Sequence, residues 1–306
     1  MAVVLEKADC EQRLKGKITI LPETPFNASN QAELISTYPI VKWAGGKRQL
    51  IFDLTKNLPK SYNRYFEPFI GGGALFFELQ PDNAYISDVN EELINLYSVI
   101  QNNVEELIKD LKKHEISKEY FLKIREIDRK PAYKKWTNVQ KASRFIYMNR
   151  TCFNGLYRVN SQGQFNVPFG NYTNPRIIDE NNLYNCSELL KKTQIECKSF
   201  TAILDEVQKG DFVYFDPPYV PLNATSSFTS YTKEGFDVDM QFQLREVCDE
   251  LNDRGVHFLL SNSDTEFINE LYSAYTIKKV FASRQINANA SGRGKITEVL
   301  VRNYDE

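Results

Sequence analysis

Short apolar runs alternate with longer segments of helical period along most of the chain. Tyr65–Phe69 leads into Gly71, Gly72 and Gly73, and Ala74–Leu79 begins a helix behind them. Ala84–Ser87 reads as a second strand that stops at Asp88. Glu91–Leu111 follows as one helix, with apolar residues at Leu93, Ile94, Leu96, Tyr97 and Ile100. Phe212–Phe215 is a short buried strand ended by Asp216, Pro217 and Pro218, since Pro-Pro cannot extend a sheet. Gln241–Arg254 predicts a helix and Val256–Leu260 a strand. Ile277–Ala282 and Ile296–Arg302 predict a closing pair around a Gly- and Asn-rich loop. This alternation implies an α/β fold, a mostly parallel doubly wound sheet with ligands at the carboxyl ends of its strands. Between Glu115 and Ile178 the rhythm fails, and that stretch reads as an inserted recognition domain.

Composition narrows the class. With 306 residues, 42% hydrophobic and 25% charged, the chain suits one large or two smaller α/β domains and is neither disordered nor collagenous. It has no uncharged apolar run long enough to span a membrane. The formal charge of −2 is unevenly spread. From Arg129 to Ile178 there is no acid, against nine bases: Arg129, Lys130, Lys134, Lys135, Lys141, Arg144, Arg150, Arg158 and Arg176. Setting those nine charges aside leaves −11 on the rest of the chain. Aromatic residues such as Trp136, Phe145, Tyr147 and Tyr157 are interleaved with them. Such a window reads either as the footprint of a polyanion site, with salt-sensitive binding, or as a solvated helix face over ordinary core aromatics.

Five scattered cysteines without a CxxC pair and only two histidines give little support to a zinc site or a His-based triad, so no metal is expected. The N-terminus lacks a continuous apolar h-region, which makes a reducing, cytoplasmic location the default. Residues 1–38, with Pro22 and Pro25, read as a loosely structured extension, for which a partner contact and plain disorder both fit.

Three constellations carry candidate chemistry. Phe66–Gly73 (FEPFIGGG) runs from a strand into a glycine turn, with the carboxylate of Asp88 some fifteen residues on. That combination suits a nucleotide site, where the acid accepts from ribose hydroxyls; the plain alternative is a tight turn. Asp216-Pro217-Pro218-Tyr219 holds a carboxylate at a strand's end with an aromatic ring close by. It fits an exocyclic amino group and a stacked base, or else a strand terminator with an N-cap acid. Lys42–Lys47 (KWAGGK) offers an indole, glycine-freed backbone and a cation.

Together with FNGLYRVN (Phe153–Asn160), QFNVPFGNY (Gln164–Tyr172), Phe228–Tyr231 and Ser261-Asn262-Ser263, these stretches resemble Dam-type DNA adenine-N6 methyltransferases. The class is D12, α group, with the DpnM-like members that act on GATC nearest in pattern. The resemblance runs from about Ile40 to Tyr304. It implies a Rossmann-like SAM-dependent methyltransferase sheet with an inserted, mainly helical DNA-recognition domain carrying a β-hairpin. The divisions would be an extension (1–38), a SAM-binding part (39–112), the insert (113–178) and the remaining catalytic part (179–306).

By the same resemblance S-adenosylmethionine (SAM) is the methyl donor and double-stranded DNA the partner, with a restriction endonuclease as a possible companion. Trp43, Lys47 and Phe69 would help bind SAM, Gly71 and Gly73 would lie against its methionine part, and Asp88 would take its ribose. Ser199 and Phe200 would lie near its adenine. Asp216 and the Pro217 carbonyl would hold the target N6 amino group, and Tyr219 would stack on the flipped base. Lys42, Asn154, Leu156, Arg158, Pro168 and Tyr172 would read the duplex, Arg158 being a natural bidentate partner for guanine. Arg293 and Lys295 sit in a loop that either touches phosphates or is merely exposed. Rival readings are methylation of cytosine N4, of RNA or of protein glutamine, and a DNA-binding module with a vestigial cofactor pocket.

Overall fold

A computed structural model describes residues 35–219, 236–283 and 295–305. Among the described residues seven strands form one sheet: β1 (Tyr65–Glu67), β2 (Ala84–Ser87), β3 (Thr193–Glu196), β4 (Phe212–Phe215), β5 (His257–Ser263), β6 (Thr276–Ser283) and β7 (Lys295–Arg302), in the order β3-β2-β1-β4-β5-β7-β6. The first five are mutually parallel, and β7 enters antiparallel between β5 and β6. This is the α/β architecture that the alternation predicts.

Every residue of β1, β2 and β4 is buried, as expected of strands covered on both faces. Successive side chains go to opposite layers. Tyr65, Ile86, Phe212, Tyr214 and Leu259 join one apolar cluster, and Phe66, Tyr85, Val213, Phe215 and Leu260 the other. Helices α1 (Ile51–Lys56), α2 (Ala74–Leu79), α3 (Glu91–Asn102) and α4 (Val104–Leu111) follow the chain around the first cluster. There the insert adds α5 (Lys118–Arg125) and α6 (Asn138–Thr151), and α7 (Glu180–Leu190) returns to the sheet. The second layer holds α8 (Val238–Asp253) and α9 (Glu266–Leu271). Among the described residues no helix is long and apolar enough to cross a membrane.

Three local expectations change. The helix predicted over Glu91–Leu111 is two helices, broken at Asn103 (φ −140°). Asn102 and Asn103 are weak helix formers, and Glu105 and Glu106 suit a new N-terminus. Strand β3 escapes apolar pattern reading because it is an edge strand in which only Thr193 is buried. Residues 35–38 are tied down, unlike a loose extension. Gln80 and Asn185 donate to the carbonyls of Ile35 and Ser36, and Asn182 exchanges two hydrogen bonds with the backbone of Tyr38.

The insert contributes no strand to the sheet. Its long helix α6 starts from a capping box, Thr137 with Gln140. The hairpin that follows pairs at two isolated positions, Cys152 with Phe169 and Val159 with Phe165, instead of as a continuous ladder. Its tip is held by Asn160, whose side chain accepts from the N–H groups of Gln162 and Gln164, both at 3.0 Å.

The acid-free window does not stay acid-free in space. Arg144, 2% exposed, donates to Asp128 at 2.8 Å and to the carbonyl of Ile124 at 3.1 Å. Asp128 also accepts from the Phe165 N–H at 2.8 Å, which fixes the hairpin arm. Arg129 donates to Phe165 O and Arg150 to Ile40 O. Three of the nine bases are thus structural, and Arg176 pairs with Asp179. Lys130, Lys134, Lys135 and Arg158 remain exposed.

Removing the Asp128 carboxylate strands a buried guanidinium, the costly way to break an ion pair. Asp128→Ala should therefore lower the unfolding free energy by about 3 kcal/mol in denaturant titration. Lys130→Ala, at an exposed position of the same window, should change it by less than about 0.5 kcal/mol.

Candidate active site

The carboxyl ends of β1, β2 and β4 lie side by side, and each carries chemistry. Strand β4 ends at Phe215, and the chain leaves the sheet through Asp216-Pro217-Pro218-Tyr219. Asp216 forms an ion pair with Lys47 at 2.7 Å and accepts from the Ser261 hydroxyl of β5 at 3.1 Å. The same ammonium donates to Gly45 O at 2.6 Å and stands 4.5 Å from the centre of the Tyr219 ring. Burial pushes the Asp216 carboxyl above its usual range, and Lys47 and Ser261 pull it back. Gln241 of α8 donates to the Pro218 carbonyl at 3.2 Å and accepts from Asn262 at 3.2 Å. The Tyr219 hydroxyl donates to Glu298 of β7 at 2.7 Å.

At the end of β1 the turn is tight. Gly71 has φ +44°, and a side chain there would strike the indole of Trp43, so only glycine fits. Gly73 caps α2. The Gly71 carbonyl accepts from Tyr97 at 2.8 Å, while its N–H donates to Asp88 at 3.2 Å. Asp88, at the end of β2, also accepts from the Asn90 N–H at 3.0 Å, and burial raises its carboxyl to about 6. Beside this turn the rings of Phe69 and Phe200 stack with centroids 5.3 Å apart, and Ser199 precedes Phe200 at the head of a 3-10 turn. A glycine turn, a strand-end carboxylate and an aromatic wall together fit a nucleoside with a charged tail.

The third predicted group joins cradle and insert. The Trp43 indole packs against Gly71 and stacks on Tyr157 at 5.3 Å. Tyr157 in turn donates to Glu92 at 3.0 Å, which also accepts from Tyr133 at 2.7 Å. Lys42 passes over Gly155, where a Cβ would overlap its side chain, and its ammonium is 5.5 Å from the Tyr172 ring. Asn149 of α6 binds the backbone of Lys42 in both directions, at 2.9 and 2.8 Å, and donates to Gly155 O at 2.9 Å.

The hairpin gathers the other predicted recognition residues. Asn154 takes a left-handed turn (φ +57°), Leu156 is half-buried, and Pro168 is exposed with its carbonyl on the Phe153 N–H. Arg158 is exposed and bonded among the described residues through Nε alone, to Asn166 at 2.8 Å. Arg293 and Phe228–Tyr231 lie outside the described residues, and Lys295 opens β7.

Glu67, Ser261, Gln241, Glu298, Asn149 and Glu92 also belong to this neighbourhood, though none was among the predicted site residues. Glu67, a charge inside an apolar strand, was the one visible anomaly; the others depend on tertiary placement. It is fully enclosed, accepts from the Tyr65 hydroxyl at 2.6 Å, and is pushed to about 8, chiefly by burial with a further contribution from Asp216. Among the described residues no cluster of three or more His, Cys, Asp or Glu could hold a metal ion.

A family model described as D12 class N6 adenine-specific DNA methyltransferase matches residues 43–286. A Type II methyltransferase of Lactococcus lactis subsp. cremoris, M1.LlaDCHI, is 50% identical over 278 residues, which is 90% of this chain and 98% of that one. The Type II methyltransferase M.MjaIII of Methanocaldococcus jannaschii is 44% identical, over 87% of this chain and 99% of its own. The DNA adenine methylase of Escherichia coli K12 is 33% identical, over 85% and 93%.

Glu67 gives the site a pH signature. Its folded pKa, about 8, lies above its unfolded value near 4.5, so between these limits the folded state binds the extra proton. The resulting stability is full below the lower limit and is lost as pH rises through the upper one. Glu67→Gln keeps an acceptor for Tyr65 and removes the titration. Melting temperatures should show the variant gaining on the parent between pH 5 and pH 8, about the interval of this shift; a constant difference would refute the assignment.

Proposed function

The chain belongs to the D12 class N6 adenine-specific DNA methyltransferases, and on that premise we propose that it takes its methyl group from SAM and modifies adenine within 5′-GATC-3′ duplexes after extruding the base. The observation that carries this reading is the convergence of Asp216 and the Tyr219 ring on one point, marked by the Lys47 ammonium at 2.7 Å from one and 4.5 Å from the other. A carboxylate that already accepts an N–H donor beside an aromatic face is what an adenine amino group needs.

Asp88 would take the ribose hydroxyls, Phe69 and Phe200 with Ser199 the cofactor's adenine, and the Gly71–Gly73 turn its methionine part, with Trp43 and Lys47 beside it. Bound SAM supplies an electrophilic methyl group carried on a sulfonium that leaves as a neutral thioether. The protein's part concerns the nucleophile. The N6 lone pair is delocalised into the ring, and hydrogen bonds from its two hydrogens to Asp216 and the Pro217 carbonyl favour a pyramidal nitrogen. Both acceptors then stabilise the positive charge that grows there. Ser261 holds the Asp216 carboxylate and Gln241 the neighbouring Pro218 carbonyl, and such positioning supplies much of the acceleration. Extrusion of the base costs about a few kcal/mol, which Tyr219 offsets in part by stacking.

Sequence choice falls to the hairpin. Arg158, exposed and held among the described residues through Nε alone, has its terminal nitrogens available for a guanine edge, and Lys42, beside the Tyr172 ring, would join Asn154, Leu156 and Pro168 in reading the duplex. Lys130, Lys134 and Lys135, all exposed, offer contacts to flanking phosphates. Residues 113–178 thus serve as the recognition insert within a catalytic domain formed by 39–112 and 179–306. The Type II names of two relatives support a role beside a restriction endonuclease. A DNA substrate supports a cytoplasmic, nucleoid-associated location.

Transfer of labelled methyl from SAM to duplexes with and without GATC tests the reading; no label on adenine N6 in the GATC duplex overturns it. Asp216→Ala should slow transfer about a hundredfold or more. Arg158→Ala should reduce discrimination against altered sites by about 1–3 kcal/mol, measured as ratios of kcat/KM between duplexes. An equal loss on every duplex would make Arg158 a phosphate contact.

A further inference from the structure

Strand β7 runs antiparallel to its neighbours, so its first residues arrive at the edge where β4 and β5 end. Glu298 stands there, opposite Ser263 of β5 and Val280 of β6, and is the only charged residue in the run Thr297–Val301. Glu298 is half-buried, and the residues that follow it, Val299, Leu300 and Val301, are buried and apolar. Its carboxylate reaches beyond β5 to the loop that leaves β4 and accepts the Tyr219 hydroxyl at 2.7 Å. Tyr219 is thereby held at both ends of its ring system: by Glu298 at the hydroxyl and by the Lys47 ammonium over its face.

We propose that Glu298 is a positioning residue for methyl transfer, fixing the plane of the Tyr219 ring over Asp216 by accepting its hydroxyl. The proposal rests on the reading of Tyr219 as the surface on which the target adenine stacks. A ring attached only through its Cβ can tilt about two torsions, and each tilt moves the stacked base away from Asp216. One hydrogen bond at the far end of the lever removes that freedom. Burial, with the charges of Asp216 and Glu298 nearby, raises the phenol well above its ordinary value, so it remains a donor. The geometry needs an acceptor at residue 298, not a charge.

The test compares Glu298→Met, which keeps the length but not the strong acceptor, with Glu298→Gln, which keeps the acceptor. Single-turnover methylation of a GATC duplex saturated with enzyme and SAM is the main readout. A duplex with 2-aminopurine at the target adenine reports base extrusion by fluorescence, and equilibrium titration gives SAM affinity. Glu298→Met should slow transfer about 10- to 100-fold, the range expected for a hydrogen bond to a charged group, with SAM affinity within about twofold of the parent. Tyr219→Phe should show the same loss, and the double variant no further loss, because both remove one interaction. Glu298→Gln should restore most of the rate.

A parental rate for Glu298→Met, losses that multiply in the double variant, or a Glu298→Gln as slow as Glu298→Met would each overturn the proposal. So would equal weakening of SAM binding in all variants, the mark of a merely structural anchor. Tyr219→Ala separates the underlying reading. If it is no slower and extrudes base no less than Tyr219→Phe, the ring is not the stacking surface and that reading fails. If it is slower while Glu298→Met matches the parent, only the role of Glu298 fails.

Discussion

The ion pair between Lys47 and Asp216 organises the cleft. Its partners are 5% and 20% exposed, so each gives up most of its hydration, and attraction between two such charges repays that loss only when the remaining donors and acceptors are satisfied. Here they are. Gly45 O and the Tyr219 ring face occupy the rest of the ammonium, and Ser261 donates to the carboxylate. The neighbouring acid answers to the same dry surroundings: burial chiefly, with the Asp216 charge adding to it, pushes Glu67 to about 8. Because Lys47 is drawn to the end of β4, the residues before it cross the end of β1. That path presses Trp43 on Gly71 and brings Lys42 to the hairpin.

What the sequence reveals of this arrangement is what is local. Fully buried strands such as Phe212–Phe215, the glycine turn and the Asp-Pro-Pro-Tyr terminator declare themselves, because the backbone conformation each requires is written in adjacent residues. Asp88 and Asp216 were legible for the same reason: each is the polar residue that stops an apolar strand. The break at Asn103 was not, since the apolar period continues across it into Leu107, Ile108 and Leu111. Edge strand β3 has no apolar alternation to detect. Glu298, Gln241 and Asn149 were invisible because their roles come from strand register and helix packing between distant segments.

Charge shows the same difference between chain and space. Fifty residues without an acid fit either a polyanion footprint or a solvated helix face, yet in the fold the window meets acids from outside it: Asp128 and Asp179, which flank it in sequence, and the distant Glu92. Arg144 serves as an interior strut, with its guanidinium buried among Ile124, Arg125 and Asp128. The surface left for a polyanion is smaller than the count of bases implies, and it is carried mainly by lysines around 130–135 and by Arg158. A lysine can hold a phosphate as a point charge, whereas a forked guanidinium can also read a base edge, so the proposed division of labour follows from residue type.

An insert hung on flexible linkers would have to find its orientation in every encounter with a substrate. This one is bolted to the cradle. Glu92, two residues after the cap of α3 and near Asp88, accepts hydroxyls from Tyr133 and Tyr157, which come from separate parts of the insert. Tyr157 stacks on Trp43, and Asn149 binds the Lys42 backbone and Gly155 together. Any rotation of the hairpin relative to the sheet would break these contacts at once and leave Asn149, which is 2% exposed, without partners. The distance from the hairpin to Asp216 is therefore set by packed rings and buried amides. A reaction that depends on placing one nitrogen in line with one methyl group tolerates little slack, and rigid support of this kind is how a fold removes it.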